Sequence, residues 1–269
     1  MYSIYSGDFS DSKWGILAAS SGFIVHIMSE RASQRDNYLI QPDDYITLGN
    51  RQSQIGNILG ALAAYDRAVN LAPNYALAYN YRGSFKFARL GDIQGAIADF
   101  DSAIGYDLDY AVAYANRGLL RYQQLGDIPG ALADLNVAIL LDPLDASTYT
   151  TRGLIKYGVL GDLEYALADY NRAISFDPTF APAYNCRGLL KNVHLQDISG
   201  AIADYDRALA LDPFLSEAYY NRGTIYHKEL GDPVRALADY DRAISIDRSR
   251  LRLITCAACS SAMRRSTIW

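Results

Sequence analysis

The 269-residue chain holds only three cysteines, three histidines and two tryptophans. So few cysteines cannot staple a fold through disulfides, which points to a reducing compartment and a cytoplasmic location. Cys256 and Cys259 form a lone Cys-x-x-Cys with no histidine or second pair nearby in sequence, so they read as small helix or tail residues. The histidines His26, His194 and His227 are isolated. There is no phosphate-binding Walker loop, no dinucleotide glycine motif, no HExxH and no GxSxG. Nothing therefore nominates a catalytic residue, a metal or a cofactor, and the chain reads as a non-enzyme. An excess of basic residues is missing too. A net charge of −5 and a pI near 5.2 argue against nucleic acid as the main partner. Outside the repeated part of the chain, the single long apolar run is Trp14 to Met28. It is too short for a comfortable membrane span, and Asp8, Asp11 and Lys13 before it lack the basic start of a secretory signal. It reads as a helix packed on the first repeat, followed by a polar linker to residue 41, with membrane association as the rival reading.

What the chain has is self-similarity. A tyrosine returns every 34 or 35 residues, as Tyr45, Tyr79, Tyr114, Tyr149, Tyr184 and Tyr219, each followed four positions later by Gly49, Gly83, Gly118, Gly153, Gly188 and Gly223. Two alanine series keep the same beat, Ala61 to Ala236 and Ala68 to Ala243. A repeat of this length marks a solenoid, in which no unit buries its apolar face alone. Within residues 111–145, Tyr114, Gly118 and Tyr122 fall four apart on one helix face. Gly126 closes that helix, and Asp127 reads as the N-cap of a second one. On the second helix Ala131, Leu132, Leu135, Ala138 and Ile139 form an amphipathic stripe, ended by Pro143. All eight prolines fall in an expected first turn or just past a helix end, where none breaks a helix. The unit is a helical hairpin, with small residues where two backbones approach and Tyr114, Tyr149, Tyr184 and their neighbours filling the space around them.

The signature Tyr149, Gly153, Gly161-Asp162, Ala166, Tyr170, Ala173 and Pro178 resembles that of the tetratricopeptide repeat family. Six copies cover residues 42–75, 76–110, 111–145, 146–180, 181–215 and 216–250, leaving 1–41 and 251–269 as flanks. The resemblance implies an all-α, right-handed solenoid whose inner helices line a groove for a peptide or partner protein. It also implies that groove residues stand one and five positions after each tyrosine: Asn80 and Ser84, Ala115 and Leu119, Thr150 and Leu154, Asn185 and Leu189, Tyr220 and Thr224. A lysine-and-asparagine clamp for a terminal carboxylate is not expected, since lysine is absent from these positions. The function that follows is a non-catalytic interaction scaffold. The alternatives are a membrane-associated assembly factor or an enzyme regulatory subunit attached through residues 14–28.

Three departures from the family pattern carry further expectations. Gly49 and Gly56 are seven apart but Gly83 and Gly91 eight, so one residue has been inserted in or after the first helix. A bulge or a longer turn should absorb it. That shift should turn Phe87, Tyr122 and Tyr157 inward and the basic row Lys86, Arg121, Lys156 and Lys191 outward, because burying unpaired cations is prohibitive. A basic row reaching the groove edge would favour an acidic partner segment. Arg82, Arg117, Arg152, Arg187 and Arg222 each have an aspartate 17 residues later, as Arg152 has Asp169. The first repeat has Leu48 and Ala64 instead and lacks both members, which favours an ion pair within each repeat over one between repeats. Leu108 and Arg248 replace the terminal proline, so repeat two should join repeat three with less kink, and repeat six fades out. Leu251 and Ile254 could begin a seventh first helix, though Ala257-Ala258 replace Arg-Gly, and a frayed capping helix or disordered tail is expected.

Overall fold

A computed structural model describes residues 41–246. The apolar run at Trp14–Met28, the Cys-x-x-Cys and the seventh-repeat segment lie outside the described residues. Every regular element among the described residues is helical. The described residues divide into two compact units, residues 41–107 and 108–246. The boundary falls where Leu108 replaces proline.

The first unit holds two hairpins, α1 (Pro42–Gln54) with α2 (Ile58–Leu71) and α3 (Ala76–Phe85) with α4 (Ile93–Tyr106). The second holds four: α5 (Ala111–Leu120) with α6 (Ile128–Leu141), and α7 (Ala146–Ile155) with α8 (Leu163–Phe176). They are followed by α9 (Ala181–Leu190) with α10 (Ile198–Leu211), and α11 (Ser216–Lys228) with α12 (Pro233–Ile246). Each unit is thus a segment of α-solenoid. The cores interlock between neighbouring hairpins, as the repeat requires. Ala131 and Leu135 of one hairpin pack with Ile155 of the next, and Ala166 and Tyr170 with Leu190 of the next.

The expected helix signals hold. Asp92, Asp127 and Asp197 each accept the backbone N–H three residues on, at 2.9 to 3.0 Å, and so cap their second helices. Gly91, Gly126, Gly161 and Gly231 close the first helices with φ between 60° and 68°. In repeat five Gln196 holds this left-handed position, with φ 53°, where a side chain costs energy. Gly153 lets the helices of its hairpin touch, since a Cβ there would lie 2.6 Å from the Tyr170 ring.

The inserted residue is absorbed as a bulge. Lys86–Leu90, Arg121–Leu125, Lys156–Leu160 and Lys191–Leu195 are π turns continuing α3, α5, α7 and α9. In repeat six α11 stays α-helical to Lys228, and the wide bond from the Leu230 N–H to the Ile225 carbonyl, 3.2 Å, takes up the slack.

Candidate functional site

Two layers of side chains recur on this scaffold, a charged cluster between the helices of the second to sixth hairpins and a set of residues on the first helices. In the cluster, Arg152 Nε and Nη2 donate to Asp169 Oδ2 and Oδ1 at 2.9 and 2.7 Å. The same bidentate contact joins Arg82 to Asp99, Arg117 to Asp134, Arg187 to Asp204 and Arg222 to Asp239. The ion pair expected within each repeat is present. A link between repeats, the alternative to that pair, is present too. Nη1 of Arg152 donates to Asn136 at 2.7 Å, that of Arg187 to Asn171 at 2.8 Å, and that of Arg82 to Asp66 at 2.9 Å. Each guanidinium also lies over its own tyrosine, with Arg152 5.4 Å from the centre of the Tyr149 ring and Arg187 5.5 Å from that of Tyr184. The hydrogen bond to Asp239 holds the Arg222 guanidinium above its ordinary value, against the opposing effect of burial.

The basic row does not turn outward. Lys86 Nζ lies 2.8 Å from Asp99, Arg121 Nη1 2.8 Å from Asp134, Lys156 Nζ 3.0 Å from Asp169 and Lys191 Nζ 2.9 Å from Asp204. Each row member stands four residues after the cluster arginine, on the same helix face, and the π turn begins only there. The outward expectation treated these cations as unpaired, whereas each shares a buried carboxylate; the Asp169 side chain is 1% exposed. The inward expectation for the aromatics is met in part, since Tyr122 and Tyr157 are half-buried and pack on the cores around Leu135 and Tyr170.

Among the residues assigned to the groove, Asn80 and Thr150 are buried and offer little surface, while Ser84, Ala115, Leu119, Leu154, Asn185, Leu189, Tyr220 and Thr224 are half-buried. The hydroxyls of Thr150 and Thr224 donate to the carbonyls of Ala146 and Tyr220, both at 2.8 Å, so each is tied to its own helix. Asn221 Nδ2 donates to Asn185 Oδ1 at 3.1 Å, joining α11 to α9. A second junction of this kind was not among the residues expected from the sequence. The Tyr157 and His194 rings meet edge to face at 5.4 Å, from successive π turns. Their separation of one period plus two residues was the available signal.

Beneath this face lie titratable groups without an evident chemical task. Burial pushes the Cys186 thiol up to about 12 and raises the Tyr170 and Tyr205 phenols. The hydroxyls of these two tyrosines have no hydrogen-bond partner among the described residues. A thiol so raised is a poor nucleophile. The described residues contain no group of histidines, cysteines and carboxylates able to hold a metal ion.

Tetratricopeptide repeat models match residues 46–108, 86–149 and 216–250, and a TPR repeat model matches 193–229. The chain belongs to the tetratricopeptide repeat family. Repeats of this family are generally non-catalytic interaction modules. Solved structures agree on the fold. A chain of the APC/C hetero-tetramer Cut9–Hcn1 superposes with a TM-score of 0.69 at 16% identity, over 86% of this chain and 44% of that one. PilW, a type IV pilus biogenesis factor, gives 0.64 at 18% identity over 80% of this chain and 98% of its own. A tetratricopeptide repeat protein from Parabacteroides merdae gives 0.63 at 19% identity, covering 84% and 90%. No curated protein matches in sequence. No helix among the described residues is long and apolar enough to cross a membrane.

Proposed function

We propose that the chain is a non-catalytic scaffold whose second unit holds an uncharged, partly apolar peptide segment of a partner protein against its inner helices. The observation that carries this reading is the use made of the charges. All four members of the basic row are held by carboxylates of their own repeats, so the cations that would have favoured an acidic segment already have partners. What remains half-exposed at the assigned positions is Ala115, Leu119, Leu154, Leu189, Tyr220 and the Thr224 methyl, with the Asn185–Asn221 amide pair among them. Apolar contacts with a few amides suit an extended peptide held through side-chain burial and backbone hydrogen bonds. A similar fold occurs in the hetero-tetramer Cut9–Hcn1, which supports a partner protein for this chain as well.

The test is an affinity pull-down with the intact chain, followed by calorimetry on the captured partner's binding segment. Leu154→Glu and Asn185→Ala should each weaken binding at least several-fold while circular dichroism stays unchanged, and raising the salt should leave affinity nearly constant. Unchanged affinity in both variants moves the site elsewhere, and a steep loss with salt contradicts an uncharged segment.

A further inference from the structure

On the reading of the second unit as a peptide site, we propose that the hydroxyls of Tyr170 and Tyr205 are specificity-determining donors of its groove. The peptide they select carries two carboxamide side chains, of asparagine or glutamine, three residues apart. A comparison of repeats carries this. Midway along the second helix, a tyrosine hydroxyl reaches the residue that follows the glycine of the first helix. In repeat one Tyr65 donates to Asn50 Oδ1 at 2.7 Å, and in repeat six Tyr240 donates to Thr224 Oγ1 at 3.4 Å. Repeats two and three have Phe100 and Leu135 there, without a hydroxyl. In repeats four and five the tyrosine is present, as Tyr170 and Tyr205, but the facing residues are Leu154 and Leu189, which offer nothing to bond.

All four tyrosines hold one pose. A Cβ on Gly49, Gly153, Gly188 or Gly223 would meet the same ring atom, Cε1, 2.5 to 3.0 Å away. The hydroxyls of Tyr170 and Tyr205 therefore point at the two leucines as those of Tyr65 and Tyr240 point at Asn50 and Thr224. Both tyrosines are 0% exposed, and neither hydroxyl has a partner among the described residues. A buried hydroxyl without a bond lowers stability.

The residue after the glycine is one of those assigned to the groove, so each hydroxyl lies one side chain beneath that surface. Leu154 and Leu189 are half-buried, and a change of rotamer at either uncovers the hydroxyl below. Burial keeps both phenols neutral, so what they offer is an O–H donor. Asp169 stands near the first and Asp204 near the second, and their negative charge disfavours a carboxylate as acceptor. A neutral carbonyl on a side chain able to pass between the leucines is what remains, and asparagine and glutamine supply it. The first helices of repeats four and five are neighbours, with Ala183 packed in one core with Ala146 and Tyr149. Neighbouring helix axes lie about 8–10 Å apart. That is the rise of three residues in a polyproline-type chain, at about 3.1 Å each, and three residues also complete its turn. Both carboxamides then face the groove floor.

The test offers the full chain a bead library of capped dodecapeptides built from Ala, Leu, Pro, Ser, Asn, Gln, Asp and Lys. Peptides retained should carry Asn or Gln at two positions three apart. Tyr170→Phe and Tyr205→Phe should each cut the affinity of a retained peptide at least several-fold, and replacing the matching carboxamide by Leu should then weaken it no further. Without peptide, both variants should have a urea midpoint equal to or above the parent's, because each removes an unmade bond. Leu189→Thr, which gives Tyr205 the partner that Tyr240 has, should lower affinity more than Leu189→Val. Retained peptides that lack paired carboxamides, or that bind both Phe variants as tightly as the parent, would overturn the proposal while leaving the groove a peptide site. A lowered midpoint in both Phe variants would overturn it too, since the hydroxyls would then have partners in the free chain. Retention of acidic peptides alone, or of none, would remove the uncharged-peptide reading and this proposal with it.

Discussion

Repeats two to five and repeat six have the same length but end their first helices differently. In all five, the backbone N–H of the capping aspartate reaches back six residues, from Asp92 to Lys86 through to Asp232 to Tyr226. The inserted residue therefore sits at one place throughout. A full π turn forms only in repeats two to five, where that residue is a cation bound to the buried aspartate. In repeat six Tyr226 takes its place, Asp239 pairs with Arg222, and the helix stays α-helical to Lys228. The insertion alone does not demand a π turn. The wider turn accompanies a second charge at the carboxylate.

The comparison can be broken most severely at the carboxylate. Asp169→Ala leaves Arg152 and Lys156 half-buried without their shared partner, and the urea midpoint should report a loss of about 3–5 kcal/mol. Gly153→Val drives a branched side chain into the Tyr170 ring and should cost about 1–3 kcal/mol, with thermal melting as the measure. Lys156→Tyr gives repeat four the repeat-six pattern. It should cost no more than about 1–2 kcal/mol, since Arg152 still satisfies Asp169, and a crystal structure should show the π turn at 156–160 shortened. Gln196→Gly restores the residue that other repeats use at this left-handed position and should raise stability by up to about 1 kcal/mol.

The smallest effect concerns pH. Cys186 has its folded-state thiol raised to about 12, chiefly by desolvation, so the unfolded chain ionises first. The folded state then binds the extra proton, and stability present below the ordinary thiol value of about 8.5 is lost as pH rises toward 12. Cys186→Ala should flatten the denaturation-midpoint curve over that alkaline window, and a parallel curve would contradict the assignment.

The fold was legible because each local signal agreed with the period. Tyr149, Gly153, Gly161-Asp162 and Pro178 each do what their chemistry requires at those spacings. The Arg152–Asp169 pair was legible through its joint absence from repeat one, where Tyr65 instead donates to Asn50 at 2.7 Å. The fate of Lys156 was not, although the signal was present. Four residues separate it from Arg152, which puts both cations on one helix face and makes a shared carboxylate the natural partner. Treating the row as unpaired hid this. The burial of Asn80 and Thr150 was also out of reach, because it depends on packing between neighbouring first helices and not on the repeat's own pattern.

The central claim is that one buried carboxylate fastens the two helices of a hairpin through charges on a single face. A urea-unfolding cycle on Asp169→Leu, Arg152→Leu with Lys156→Met, and all three changes together tests it most directly. The combined variant should be markedly more stable than the sum of the separate losses predicts, because removing the whole cluster strands no charge. Losses that simply add would contradict the account.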